Sequence, residues 1–243
     1  MILGVLLLFS NLHFKESLSV DNRKRGNLKS LVSSFGIVLK NRRYVYYVLQ
    51  MGFAMGVLFA NISSSPFIVQ QHYGFSAFEF SLFFGINALA IGLAAGLSVK
   101  FKNPEHAMFL GSVGMTMMSA VEFVILSNEY HFAVYEAVLF VLLFSMGLTF
   151  TASTTLAMDC ERANSGTASA LFGAAGFAFG GIVSPLVGLG DILSITGLIF
   201  FVCSVCSLCF SVLAMNQTHT NLWGSFKCKM GPVTRFVFLR REK

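Results

Sequence analysis

The run "FFVCSVCSLCF" sets Cys203, Cys206 and Cys209 at three-residue intervals, a spacing that imitates an iron–sulfur ligand run. It lies inside a long apolar stretch that reads as helix. Steps of three on a 3.6-residue turn spread the sulfurs around the axis instead of converging them. They are read as buried structural cysteines, and no metal or other cofactor is expected. Cys160 and Cys228 lie in polar flanks and are expected to stay reduced. The sequence carries no HExxH, Walker A, GxGxxG or GxSxG pattern. All five histidines (His13, His72, His106, His131, His219) fall outside the apolar stretches, so an intramembrane serine protease, which needs a buried Ser–His pair, loses its main support. No catalytic residue is assigned, and an enzyme is not expected.

Other polar groups interrupt apolar runs. "FANISSSPFIVQQHYGFSAFEFS" carries Asn61, Ser63, Ser64, Ser65 and Pro66, with no Lys or Arg. Such groups are costly against lipid. Either they bond back to their own backbone near a helix end, or they face a water-filled cavity. Asn87, in "FFGINALAIG", has the same two readings: a helix-to-helix hydrogen bond or a ligand contact. Glu122 and Glu136 lie within about two turns of helix ends and are read as boundary residues reaching the interface.

The elements that position these groups follow from composition. Of 243 residues, 55% are hydrophobic and only 12% charged. Soluble domains carry roughly twice that share of charge. The solvent for this chain is a bilayer, which a helix of about 20 apolar residues crosses. Residues 44–65, 77–99, 107–127, 132–156, 166–188 and 192–215 form six such spans. Residues 1–14 are too short to span and read as the tail end of a helix whose beginning is missing. With six spans, all 17 Lys and Arg fall on one side. The opposite loops (66–76, 128–131, 189–191) hold none, and the positive-inside rule makes the basic side cytoplasmic. The net charge of +6 is therefore a topology signal, and no nucleic-acid partner is expected.

Residues 15–43 form a cytoplasmic connector. Its first half is polar. Its second half places Leu28, Leu31, Val32, Phe35, Val38 and Leu39 at helical spacing, the pattern of an amphipathic helix on the membrane surface, with a plain linker as the alternative. Residues 216–243 form a basic tail, with Trp223, suited to anionic lipid. Ser76 and Glu79 make a capping box that starts the second span, and Pro66 marks the end of the first. Gly92 with Gly96 and Gly176 with Gly180 are GxxxG pairs, read as packing faces. They occupy the second helix of two successive triplets, which hints at a 3+3 inverted repeat. The fold class is an all-α membrane protein.

Two blocks carry a family likeness. "FANISSSPFIVQQHYGFSAFEFSLFFGINALAIGL" resembles the span 7 to span 8 region of the bicyclomycin-resistance (Bcr/CflA) drug transporters of the major facilitator superfamily. "SGTASALFGAAGFAFGGIVSPLVGLGD" resembles their span 11. The likeness covers residues 44–215. It implies that residues 1–14 end span 6, that 15–43 are the central loop, and that the chain is the C-terminal half of a twelve-span exporter. It implies export of small hydrophobic drug-like molecules coupled to proton entry across a bacterial inner membrane. It also implies a cavity between two halves, the partner being a missing N-terminal half or a second copy. On that footing Asn87, Asn61, Ser64, Gln50 and Phe83 are candidate substrate contacts, and Gly92, Gly96, Gly176 and Gly180 pack the halves together. Coupling carboxylates are expected in the other half. The rivals are a non-transporting six-span protein and a degenerate transporter remnant.

The charge pattern yields a test. Cys160 and Cys228 should react with a membrane-impermeant thiol reagent only in inside-out vesicles. Labelling of Cys160 in intact cells would overturn the six-span topology.

Overall fold

A computed structural model describes residues 4–6, 9 and 28–229, with the side chains of 4–6, 9 and 33–217. The remainder of the expected helix tail in 1–14, the polar half of the connector and the tail beyond 229 lie outside the described residues. So do the side chains of Trp223 and Cys228.

Among the described residues seven helices of twelve or more residues follow one another: α1 (Leu28–Leu39), α2 (Arg42–Pro66), α3 (Ala77–Ser98), α4 (Pro104–Ser127), α5 (Phe132–Cys160), α6 (Ser165–Leu186) and α7 (Ile192–Lys229). Six of them, α2 to α7, are long and apolar enough to cross a membrane. Local chemistry starts them. The Asn41 side chain accepts from the Tyr44 N–H, and Pro104 occupies the first turn of α4, where a missing N–H costs nothing. Ser76 and Glu79 form the capping box read from the sequence. Asp191 accepts from the Ser194 N–H at 2.9 Å, and these backbone donors hold its carboxyl below the ordinary aspartate range.

The span boundary at Pro66 is a correction. The helix does not stop there but continues as a π-helical segment, Phe67–His72. Proline lacks an N–H and crowds the carbonyl four residues back, so the α ladder cannot run through it. The bonding shifts register instead: the Phe67 N–H reaches the Ser64 carbonyl, and the Tyr73 N–H reaches that of Ile68 at 3.0 Å. The resulting span runs Arg42–His72.

In chain order the helices form two triplets, α2–α4 and α5–α7, and these interleave, so that every major neighbour pair joins one triplet to the other. The major neighbour pairs are α4 with α5, α2 with α7, α3 with α5, α2 with α6, α4 with α7 and α2 with α5. Exchanging the triplets maps this set onto itself, as an inverted repeat requires. The first helix of each triplet, α2 or α5, sits at the centre and is the most buried. The second, α3 or α6, is the least. Helix α1 docks on α6 and α2 and buries Val38.

Glycines set the closest crossings. A Cβ on Gly147 would fall 2.6 Å from the Ile91 carbonyl oxygen, and one on Gly114 would meet the Ser145 hydroxyl at 2.7 Å. The two GxxxG pairs behave differently. Gly176 lies against Met51 and Met55, and Gly180 against Phe59, so this pair is taken up by α2 inside the bundle rather than by a second half. Gly92 and Gly96 have open space where a side chain would stand.

Gln50 ties three helices together. It is fully buried on α2. Its Nε2 donates to Ser207 Oγ of α7 at 3.0 Å, and its Oε1 accepts from Ser153 Oγ of α5. Ser207 Oγ donates in turn to the Gln50 carbonyl at 3.1 Å. An orphaned buried amide costs more than a missing one. The double variant Ser153→Ala/Ser207→Ala should therefore unfold at a lower temperature in detergent than Gln50→Leu, by a margin worth about 1 kcal/mol or more. The reverse order would show that the amide network does not hold the bundle.

Candidate functional site

The spans hold few ionisable side chains, and two carboxyls lie near the end that carries no Lys or Arg. Glu136 sits in the second turn of α5 and Glu122 in the last two turns of α4. The helix contacts set their level. Gly114 of α4 lies against Ser145 of α5. From that contact Glu122 is roughly 12 Å further along α4. Glu136 is roughly 13 Å further the same way along antiparallel α5. The two carboxyls share one depth and lie within electrostatic range of each other.

Their surroundings differ. Glu136 is half-buried and lines an open groove of about 470 Å³ between α3 and α5, with Phe83, Ile86, Phe132, Ala133, Ala137 and Phe140. Its Oε1 accepts from Asn87 Nδ2 at 2.9 Å. Glu122 is fully buried, and both its oxygens lack a hydrogen-bond partner. The reading of Glu122 as a boundary residue is corrected: it points into the bundle and reaches no surface. An aromatic cluster roofs the region. Phe132 lies 4.3 Å from Phe75, 4.7 Å from Phe83 and 5.2 Å from Tyr73, ring centre to ring centre. Tyr73 Oη donates to the Tyr130 carbonyl at 2.8 Å, which pins the segment after Pro66 over the start of α5.

The five candidate contacts separate into two groups. Asn87 and Phe83 meet at the groove with Glu136. Gln50, Asn61 and Ser64 do not join them. Asn61 Oδ1 accepts from Ser65 Oγ at 2.8 Å, and Ser64 Oγ turns to the Asn61 carbonyl. All three are buried and bonded inside the bundle, so no groove is open to them. The helix-to-helix reading of Asn87 holds for its Nδ2, while its Oδ1 is buried without a partner. Glu136 was missed because its depth along the helix suggested an interface. The usable signal was Asn87, whose carboxamide needs a polar group from another helix. Among the described residues no group of three or more His, Cys, Asp or Glu is placed to hold a metal ion. Cys203 is buried, Cys206 half-buried and Cys209 exposed: the sulfurs spread around the helix as expected, but the reading of all three as buried is corrected for Cys209, which faces outward.

A multi-pass bundle of two inverted helix triplets, with a polar pair opening on an apolar groove, has the architecture of half a membrane solute carrier. The chain belongs to the Major Facilitator Superfamily, whose family pattern matches residues 1–185. It is 34% identical over 227 residues to a protein of Bacillus subtilis (strain 168) described as "Uncharacterized MFS-type transporter YdgK". That match covers 91% of this chain and 56% of the relative, so the chain spans little more than half the relative's length.

The groove makes α5 two-sided. In a cysteine-free background, Ala137→Cys should react readily with a small membrane-permeant maleimide. Leu139→Cys, 1% exposed, should react at least about tenfold more slowly. Equal rates would show that α5 does not present this face.

Proposed function

We propose that this chain supplies one of the two helical bundles of a proton-coupled exporter of small hydrophobic drug-like molecules. It acts in a bacterial inner membrane, with the basic end of the bundle in the cytoplasm. The observation that carries the reading is the Asn87–Glu136 pair in an otherwise apolar, aromatic groove. Such a groove suits an amphiphilic solute whose body packs on Phe83, Phe132 and Phe140 while a polar or cationic group meets the carboxylate. The likeness to the bicyclomycin-resistance transporters supports the same substrate class. The superfamily match supports transport as such, and the open Gly92–Gly96 face of α3 offers a surface for a second bundle.

Alternating access works by two bundles rocking around a shared site, and the described helices make one. This chain alone, reconstituted in liposomes, should therefore give no efflux of a fluorescent cationic dye driven by a pH gradient. Co-expression with an N-terminal bundle should restore it, and Glu136→Gln should then reduce the rate at least about tenfold. Robust proton–dye exchange by the chain alone would overturn the half-carrier reading in favour of a functional homodimer.

A further inference from the structure

The groove accounts for Glu136 but leaves Glu122 without a role. A carboxyl group that is 0% exposed, with neither oxygen hydrogen-bonded, is costly to keep in a bundle core. It does not stand by itself. The Tyr135 hydroxyl, also fully buried, lies beside the Ser65 hydroxyl and within electrostatic range of both Glu122 and Glu136. Asn87 Oδ1 is a further unpartnered buried oxygen, on the amide that already binds Glu136. Unpartnered oxygens from α3 and α4 thus gather with the Tyr135 hydroxyl of α5 beneath the aromatic roof.

Among the described residues no Lys or Arg lies at this end of the bundle, and its two histidines, His72 and His131, are exposed. Helix α5 contributes Glu136 and Tyr135. The segment after Pro66 contributes Tyr73, and the α4–α5 loop contributes Glu129, whose charge acts on Tyr73, and the exposed His131, whose Nδ1 accepts from the Ala133 N–H. The neighbouring His72 interacts with Asp191 at the head of α7. Between Ile192 and Gln217, α7 has no Asp, Glu, His, Lys or Arg, and α3 adds only Asn87 at this level. Two carboxylates placed here would repel each other with no Lys or Arg between them. One proton between them removes that repulsion and gives the orphaned oxygens a donor.

We propose that Glu122 and Glu136 form a single proton-binding site, held by the Tyr135 hydroxyl and the Asn87 carboxamide and filled through the groove between α3 and α5. A hydronium in the groove gives its proton to Glu136 and leaves as water. The proton then passes to Glu122, directly or through the Tyr135 hydroxyl, which donates one proton as it accepts another. Release retraces the path. Asn87 senses the state of the site, because its Nδ2 bonds Glu136 best when Glu136 is the anion. The site gives the proposed exporter a proton store within this bundle, and to that extent it rests on the transport reading.

Infrared difference spectroscopy on the purified chain in liposomes tests the site without any transport assay. The wild type should show a carboxylic-acid C=O band that shifts in D2O and titrates between about pH 4 and pH 10. Glu122→Gln should move the midpoint of the remaining carboxyl by about one pH unit or more, as coupled groups require. Tyr135→Phe should also move it, and carries the test if Glu122→Gln fails to fold. Glu79→Gln, at the exposed start of α3, should leave the band unchanged. Absence of a titrating band, a midpoint indifferent to Glu122 and Tyr135, or loss of the band on adding sodium at constant pH would each overturn the proposal. A coupled titration in a protein that exports nothing with a second bundle present would sink the transport reading alone.

Discussion

Inside a bilayer no water repairs an unpaired polar group, and the arrangement of this bundle turns on where its few side-chain amides and hydroxyls find partners. Gln50 is the clearest case. Its amide locks the central helix of the first triplet to the central helix of the second and to α7. Serines and threonines elsewhere bond back to their own helices: Ser112 to Met108, Ser145 to Val141 and Thr149 to Ser145. With those groups satisfied, close packing at Gly111, Gly114 and Gly147 determines how near the helices come.

Most of the fold was legible because membrane spans impose a length and a charge asymmetry that composition alone carries. The six spans, the capping box at Ser76 and the scatter of the cysteines follow from helical geometry and hydropathy. What was not legible is orientation around the helix axis, which a sequence of almost uniformly apolar residues does not encode. Gln50, Asn61 and Ser64 looked like cavity groups but are bonded inside the bundle. Gly176 and Gly180 looked free for another half but receive the side chains of α2. Depth misled as well. Glu122 is near a helix end along the chain, yet α5 and α7 flank that end and no solvent reaches the carboxyl.

The pseudo-symmetry of the helix neighbours has a functional side. The two triplets share a packing plan but not their polar contents. In the first, the second helix carries Asn87 and an open glycine face. In the second, Gly176 and Gly180 of the corresponding helix are filled by Met51, Met55 and Phe59. Both carboxyls lie toward one end of the bundle. The repeat therefore frames a polarised site: aromatic and acidic at one end, basic at the other, with apolar walls between.

The π segment after Pro66 bears on how this protein can vary. A π turn holds more residues than an α turn, so Phe67–His72 carries slack that the rest of α2 lacks. Losing one residue there would let the backbone relax to an α ladder while Tyr73 keeps its place over α5. The same loss between Gly52 and Val57 would rotate everything beyond it by about 100° and carry Asn61 and Ser64 out toward lipid. Length changes in this helix are thus absorbable only beyond the proline, and descendants of the sequence that gain or lose a residue in α2 should do so in that segment.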